Sequence, residues 1–457
     1  MNELLNLSGT RQATLIKAGE ISSTELVQAH LARIEKTNPS LNAVVEVLAD
    51  SALLEASAVD QRKAAGQELR PLEGVPFSIK DSIEVAGTVC SAGTLGRKNE
   101  ARSVEDATLV ARLRAAGAIP LARTNLPDLL FSFETDNLIF GRTNNPFDVT
   151  RSAGGSSGGE AALIAAGGSP FGIGSDSAGS VRLPAHYCGI ASIKPTTRRL
   201  SRAGHMPPSG GWLEMLWQIG PMARHVEDLW TMMPLLVGDD PRDPSLMPIP
   251  WRDPALVDLK NLRIGFFTDN GIVAADADTD RVVRRAAGFL SSQVHSVEER
   301  RPKGIEQTYD LEMQMIGPDG GDALRSYLAE IGSHQIHPLL EGWLVKLEPY
   351  RTDLKGFGAY WGALDAFRAQ MARYISGYDA ILSPVASQPA VLHGCSIEDQ
   401  VFRGFSYTMT YNLTGWPAAV VRGGTSQNGL PIGVQIAAAP WREDIALAVA
   451  RALEQLP

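Results

Sequence analysis

Residues Arg151 to Arg182 read RSAGGSSGGEAALIAAGGSPFGIGSDSAGSVR. Two serine–glycine loops, Gly154-Gly155-Ser156-Ser157-Gly158-Gly159 and Ser177-Ala178-Gly179-Ser180, bracket a short apolar segment. Glycine admits positive φ and close backbone approach, but it costs conformational entropy in a regular element. Concentrating it beside serines in a core-like stretch is expected where the chain builds a site. Between the loops, Glu160 to Ala166 reads as a helix and Phe171 to Gly174 as a tight apolar strand. A further helix is expected from Ser180.

Outward from this stretch, helical and strand patterns alternate. Leu4 to Lys17 reads as a helix. A second opens at Ser22, with Glu25 completing a capping box. It is expected to run to Lys36 and stop at Asn38-Pro39. Leu41 to Val47 is strand-like, and Asp50 to Ala65 is an alanine-rich helix ended by Gly66. Val75 to Ile79 reads as a short buried strand closed by Lys80. Asp106 to Ala116 is a helix and Ala118 to Leu121 a strand, followed by the turn signals Thr124-Asn125, Asp136-Asn137 and Asn144-Asn145-Pro146. Gly238 to Pro254, rich in Pro and Asp, reads as a linker or long surface loop. Leu262 to Phe267 is a strand and Asp276 to Leu290 an amphipathic helix. The pattern loosens from Arg300 to Arg351, where a helical, substrate-covering region is expected. Tyr378 to Pro384, Pro417 to Val421 and Leu430 to Ile436 read as strands, and Arg442 to Leu453 as a closing helix. Strands alternating with helices in this way indicate an α/β fold.

The totals narrow the function classes. The chain has 457 residues, 20% of them charged, and a net charge of −9. That composition is ordinary for a soluble globular protein, and the acidic balance argues against nucleic acid or an anionic membrane as the main partner. Cys90, Cys188 and Cys395 lie far apart without a CxxC pair. Neither a disulfide framework nor a zinc site is expected, and a reducing cytoplasm fits. The N-terminus lacks a basic segment followed by an apolar one, so no signal peptide is expected. No run approaches the roughly 18–20 apolar residues of a spanning helix. Neither GxxxxGK[ST] nor GxGxxG opening a βαβ unit is present, so nucleotide binding is not expected.

A serine nucleophile needs a base for its proton and donors for the oxyanion. Of the eight histidines only His186 and His205 lie near the loops, and neither sits in a triad pattern. No Gly-x-Ser-x-Gly elbow appears. A lysine whose pKa is lowered by burial can serve as base instead. Lys80 is the natural candidate, although a lysine closing an apolar strand is more often a solvated edge residue.

The segments Gly74-Val75-Pro76-Phe77-Ser78-Ile79-Lys80-Asp81, Thr124-Asn125, the two serine–glycine loops, Cys188-Gly189-Ile190, Lys194-Pro195-Thr196, Gly220-Pro221-Met222-Ala223-Arg224, Asn412 to Ala418 and Gly429 to Gln435 together resemble the amidase signature family. The likeness covers most of the chain and is weakest from Gly238 to Tyr374. It implies a single large α/β domain with a central mixed β-sheet covered by helices on both faces. Residues 1–65 would form an N-terminal helical segment packing on a core at 66–237. Residues 238–350 would hold the linker and substrate-covering region, and 351–457 would complete the core.

The resemblance also implies a Ser–cis-Ser–Lys triad. Ser180 would be the nucleophile, Ser156 the proton relay after a cis peptide bond, and Lys80 the base. Backbone N–H groups of Ser177, Ala178, Gly179 and Ser180 would form the oxyanion hole. Ser157 is expected to be a structural hydrogen-bonder, and Asp176 to orient the nucleophile loop or pair with Arg182. No cofactor or metal is implied. The chain departs from the family at Ala178, where Thr-Gly-Gly-Ser is usual, at Ala153, where proline is common, and at Ala122-Arg123, which replaces Gly-Lys. Ala178 is expected to reshape the acyl pocket.

Two activities fit the motifs. One is hydrolysis of neutral apolar or aryl amides, extending to esters and carbamates. The other is a glutamine-amidotransferase A-type subunit of a tRNA-dependent transamidation complex, whose members carry an acidic residue shortly before the C-terminal Asn-Leu. Phe402 to Tyr411 holds no Asp or Glu, which favours the first. Trp212, Met215 and Trp217, with Phe405 and Tyr407, are the expected substrate-contacting side chains. The protein is expected to be a cytoplasmic monomer or homodimer acting on a small molecule.

Overall fold

The computed structural model describes residues 2–208 and 211–456; Ser209 and Gly210, inside the expected substrate wall, lie outside the described residues. Eleven strands form one sheet: β1 Val44–Val47, β2 Pro76–Lys80, β3 Ile119–Thr124, β4 Phe171–Asp176, β5 Ala191–Lys194, β6 Gln218–Ala223, β7 Arg263–Phe266, β8 Ser296–Glu299, β9 Ala380–Pro384, β10 Ala418–Thr425 and β11 Pro431–Ala438. Their order is β1-β3-β2-β4-β6-β5-β10-β11-β9-β7-β8. The sheet is mixed, as expected: β3, β2 and β4 run parallel, as do β9, β7 and β8, and the remaining pairs are antiparallel.

Strands β2, β3 and β4 are buried at every position. Continuous apolar strands of this kind belong inside a sheet whose two faces are both covered. Lys80 pairs in register with Thr124, and Ile79 with Ile173, so the three parallel strands finish at one edge of the sheet. Ligand sites in open α/β sheets lie beyond such carboxyl ends. Lys80 is thus no solvated edge residue; it closes an interior strand and is wholly buried.

Helix Gly158–Ala165 is buried from Gly158 to Ile164. Gly159 lets it approach closely: a Cβ there would lie 2.5 Å from the backbone N and O of Asn125. The loop before this helix therefore reaches the ends of β2 and β3.

Several boundaries differ from the expectation, each for a local reason. The first helix is two, Asn2–Asn6 and Gly9–Ala18. Ser8 caps the second by accepting from Arg11 N at 3.0 Å, and Gly9 N and Thr10 N donate to the Asp228 carboxylate. The helix capped by Ser22 and Glu25 continues to Leu41 with Pro39 in its last turns. Asn38 does not stop it; its side-chain oxygen accepts from the N–H groups of Ala43 and Val44, both at 2.8 Å, after the helix has ended. The helix expected from Ser180 begins at Arg182 and ends at Cys188.

Strands β5, β6 and β8 and the helices Val226–Leu236, Leu354–Ile375 and Ser406–Leu413 are not among the expected elements. β8 is SVEE, a polar edge strand without an apolar signal. The loosely patterned region from 300 to 351 contains helices Thr308–Ile316, Asp322–Glu330 and Pro338–Leu347. Among the described residues, no helix is long and apolar enough to cross a membrane.

The Gly159 contact yields a test. Alanine gains up to about 1 kcal/mol of helix propensity, but overpacking against backbone costs roughly 1–3 kcal/mol. Backbone atoms cannot rotate away, so Gly159→Ala is expected to lower the thermal unfolding midpoint; a raised midpoint would contradict this packing.

Candidate active site

Side chains alternate along a strand, so Ser78 and Lys80 share one face of β2. Helix Gly158–Ala165 lies over that face, and its Glu160 accepts hydrogen bonds from Ser78 Oγ and, at 2.7 Å, from Thr124 Oγ1. Burial raises the Glu160 carboxyl to about 7. Arg123, also fully buried, holds Asp81 through Nη2 at 2.7 Å and Ile83 O through Nη1 at 2.6 Å. This arginine, one of the family departures, fixes the turn directly after Lys80.

The Lys80 amine meets three hydroxyls: Ser156 Oγ at 2.6 Å, Ser157 Oγ at 3.0 Å and Ser175 Oγ at 3.2 Å. All three serines are buried, and the Gly155–Ser156 peptide bond is cis. Burial lowers the Lys80 pKa to about 7 against the opposing fields of Asp176 and Glu160. Near neutral pH a substantial fraction is therefore free amine. Ser157 donates to Ser175 O at 3.3 Å. A Cβ on Gly174 would lie 2.6 Å from Ser157 Oγ, so glycine is required for this approach.

Ser180 is 8% exposed and lines one cavity with Ser156, Ser175, Asp176 and Ser177. Ser157 N donates to Ser180 O at 3.1 Å, which ties the two serine–glycine loops together. Between them Gly179 has φ +128°, and a Cβ there would strike Thr408 Oγ1 at 2.3 Å.

Asp176 and Arg182 form a fully buried pair, Nη2–Oδ1 2.8 Å and Nε–Oδ2 2.9 Å. Arg182 also donates to Thr408 O and Gln435 Oε1, each at 2.8 Å, and to Asn412 Oδ1 at 2.6 Å. Burial would raise the Asp176 carboxyl, but Arg182 and Asn412 outweigh it and hold it at about 2. Asp176 accepts the Gly179 N–H at 2.8 Å and the Val181 N–H at 3.2 Å. It therefore orients the loop carrying Ser180.

The amidase family model matches residues 25–447. The chain belongs to the amidase signature family. It is 31% identical over 485 residues to Fatty-acid amide hydrolase 2 of Homo sapiens, across 99% of this chain and 89% of that protein. It is 33% identical over 488 residues to the A-type subunit of the glutamyl-tRNA(Gln) amidotransferase of Chloroflexus aggregans, across 100% and 97%. Among solved structures it is similar to 6-aminohexanoate cyclic dimer hydrolase complexed with substrate, with a TM-score of 0.88, 30% identity, and 99% and 98% coverage. This amidase signature member is an amidohydrolase.

Of the expected substrate-contacting side chains, only Trp217 lines the cavity of this amidase, with Leu129, Leu130, Phe131, Leu213, Leu216 and Ile316 supplying its apolar wall. Residues Gly211–Leu216 form a 3₁₀ helix. At three residues per turn, Leu213 and Leu216 share one side and Trp212 and Met215 another. Trp212 donates its indole N–H to Met315 O at 2.8 Å and packs edge-on to Phe357; Met215 joins the adjoining apolar cluster. Phe405 stacks 4.4 Å from Phe133, and the Tyr407 hydroxyl lies 2.7 Å from Val273 O and 2.9 Å from Thr268 O. Neither Phe405 nor Tyr407 reaches the cavity wall. Ala178 likewise packs its methyl among buried apolar residues including Phe133 and Met409, not in the cavity.

Reading the sequence missed Leu129 to Phe131, Ser175 and His205. Leu129 and Leu130 have φ 47° and 69°, a turn backbone that gives an apolar pair no periodic signal. His205 Nε2 lies 2.9 Å from Ser175 Oγ. His186, the other candidate histidine, accepts from Gly433 N at Nδ1 and faces Gln388 O at Nε2, which is structural. Among the described residues no group of three or more His, Cys, Asp or Glu is placed to hold a metal ion.

Breaking a buried ion pair by removing one partner typically costs about 3–5 kcal/mol. Arg182→Ala is expected to destabilise the protein by that order. Arg182→Lys should restore less than half, because an ammonium cannot reproduce the guanidinium fork. Denaturant unfolding of the two variants checks this; full rescue by lysine would refute the fork geometry.

Proposed function

We propose that this amidohydrolase cleaves neutral apolar or aryl amides through a seryl acyl-enzyme, with Ser180 as nucleophile, Ser156 as relay and Lys80 as base. The observation that carries the reading is the Lys80 amine, buried, held near neutrality and 2.6 Å from Ser156 Oγ, behind a cavity that Ser180 also lines.

Lys80 Nζ takes the Ser156 proton while Ser156 takes the Ser180 proton, and Ser180 Oγ attacks the carbonyl carbon. The Gly179 N–H is engaged by Asp176, which leaves the N–H groups of Ser177, Ala178 and Ser180 from the expected oxyanion set. Donors fixed in advance where negative charge develops supply much of the rate in such chemistry. Collapse breaks the C–N bond, and the proton returns through Ser156 to the leaving nitrogen. Water, deprotonated along the same route, then hydrolyses the acyl-serine. Esters and carbamates present the same electrophilic carbonyl and are included in the proposed range.

The cavity wall supports the substrate class. Apart from Asp176, whose carboxylate is spent on Arg182, no side chain lining it carries a charge: its remaining titratable member, His205, is kept neutral by burial. A charged amino-acid substrate such as glutamine would find no free partner there, which disfavours the transamidation reading despite the likeness to the amidotransferase proteins. Ile316, ending helix Thr308–Ile316, is on the wall and supports reading 300–350 as substrate cover.

The base sets the pH dependence. Lys80 must lose its proton, so kcat/KM is expected to rise about tenfold per pH unit below about 7 and to level above it. Lys80→Ala and Ser180→Ala should each lose at least about a hundredfold in amide turnover, the lower end of what a positioned base contributes. A panel of anilides, aryl esters, carbamates and glutamine checks both points. Cleavage of glutamine alone would refute the substrate class, and full activity of Ser180→Ala would refute the mechanism.

A further inference from the structure

Ser175 and His205 have no part in the proton path described above, yet both are buried against Lys80. The hydrogen-bond inventory around the amine gives them one. A neutral primary amine has two N–H donors and one lone pair. For Lys80 to accept the Ser156 proton, the lone pair must face Ser156 Oγ, and both N–H groups must find acceptors elsewhere. Two oxygens are in reach, Ser157 Oγ at 3.0 Å and Ser175 Oγ at 3.2 Å. Each of those hydroxyls must then send its own hydrogen away from Lys80.

Ser157 sends its hydrogen to Ser175 O at 3.3 Å. Ser175 Oγ faces His205 Nε2 at 2.9 Å. The other ring nitrogen, Nδ1, lies 3.4 Å from Pro207 O. A carbonyl oxygen only accepts, so Nδ1 carries the ring hydrogen and Nε2 is left as a bare acceptor. Ser82 Oγ is a more distant neighbour of Nε2, at 3.3 Å. Burial, reinforced by the adjacent Lys80 charge, holds the imidazole pKa down at about 3, which keeps Nε2 unprotonated. The ring packs 4.5 Å from Trp217, which holds it in place.

We propose that His205 is a positioning residue: by accepting the Ser175 hydroxyl hydrogen it keeps Ser175 an acceptor for Lys80 and so aims the Lys80 lone pair at Ser156. The inference rests on Lys80 acting as the base. Without an acceptor at position 205, the Ser175 hydroxyl turns and donates to the Lys80 lone pair, competing with Ser156. His205 touches neither nucleophile nor relay; it acts through Ser175 alone.

The experiment is a double-mutant cycle on the full-length enzyme with an anilide substrate. His205→Leu removes the acceptor at similar bulk, and His205→Gln replaces Nε2 with a carbonyl oxygen. The loss of a correctly aimed base is expected to lower kcat about 10–100-fold in His205→Leu, part of the span that general-base catalysis covers. His205→Gln should stay within about fivefold of the parent. In a Ser175→Ala background, where no hydroxyl remains to be oriented, His205→Leu should change kcat by less than about twofold, because coupled residues are non-additive.

Equal losses for the leucine and glutamine variants, or an undiminished loss in the Ser175→Ala background, would overturn the assignment. Thermal midpoints accompany each rate; if His205→Leu does not fold, His205→Met takes its place in the cycle. Ser180→Ala runs in parallel. Activity surviving there would refute the serine mechanism itself, whereas the cycle reports on His205 separately.

Discussion

An ammonium group taken out of water without a carboxylate in contact is expensive to keep charged. Lys80 is that group, and much of the fold exists to hold it there. It closes an interior strand, its face of β2 is capped by helix Gly158–Ala165, and its three contacts are serine hydroxyls. The amine lowers its pKa in response, and a base results. The glycines are consequences of the same requirement. Hydroxyls can surround one nitrogen only if their backbones crowd together, and Gly174 is the place where a β-carbon would have blocked Ser157.

The second buried cation follows the opposite rule. Arg182 cannot shed its proton, so it is enclosed by acceptors: Asp176, Thr408 O, Asn412 and Gln435. These groups come from separate parts of the chain, and the arginine joins them. Asp176 then has two backbone N–H groups of the 177–181 loop as ligands of its own. One buried charge thus remains free to titrate and serves chemistry, while the other is permanently paired and fixes geometry. The loop carrying Ser180 lies between them.

Substrate selection rests on a third kind of structure. The cavity wall is built from a 3₁₀ turn, a loop with two leucines at positive φ, and the end of helix Thr308–Ile316. None of these belongs to the sheet. Relatives at 31% and 33% identity carry names as different as Fatty-acid amide hydrolase 2 and a tRNA-dependent amidotransferase. Such diversity is expected where a shared sheet presents the reacting groups and separate segments shape what reaches them.

The residues alone determined the α/β alternation, the capping box at Ser22 and Glu25, and the two serine–glycine loops, because each leaves a local signature in composition or spacing. The family motifs then singled out Lys80, Ser156 and Ser180 as residues to be found together. Tertiary structure decided the rest. Nothing local distinguishes a lysine at a solvated edge from one inside an eleven-stranded sheet; strand order does. Trp212, Met215, Phe405 and Tyr407 looked like substrate contacts by residue type, yet the rotation of a 3₁₀ turn and the packing of buried rings direct them elsewhere. Ser175 and His205 have no spacing signature at all, since a strand end and a loop thirty residues later meet only after the sheet has formed. Which side chains exist, and what each can donate or accept, is written along the chain; who faces whom is a property of long-range packing, and the direction of a lone pair depends on that.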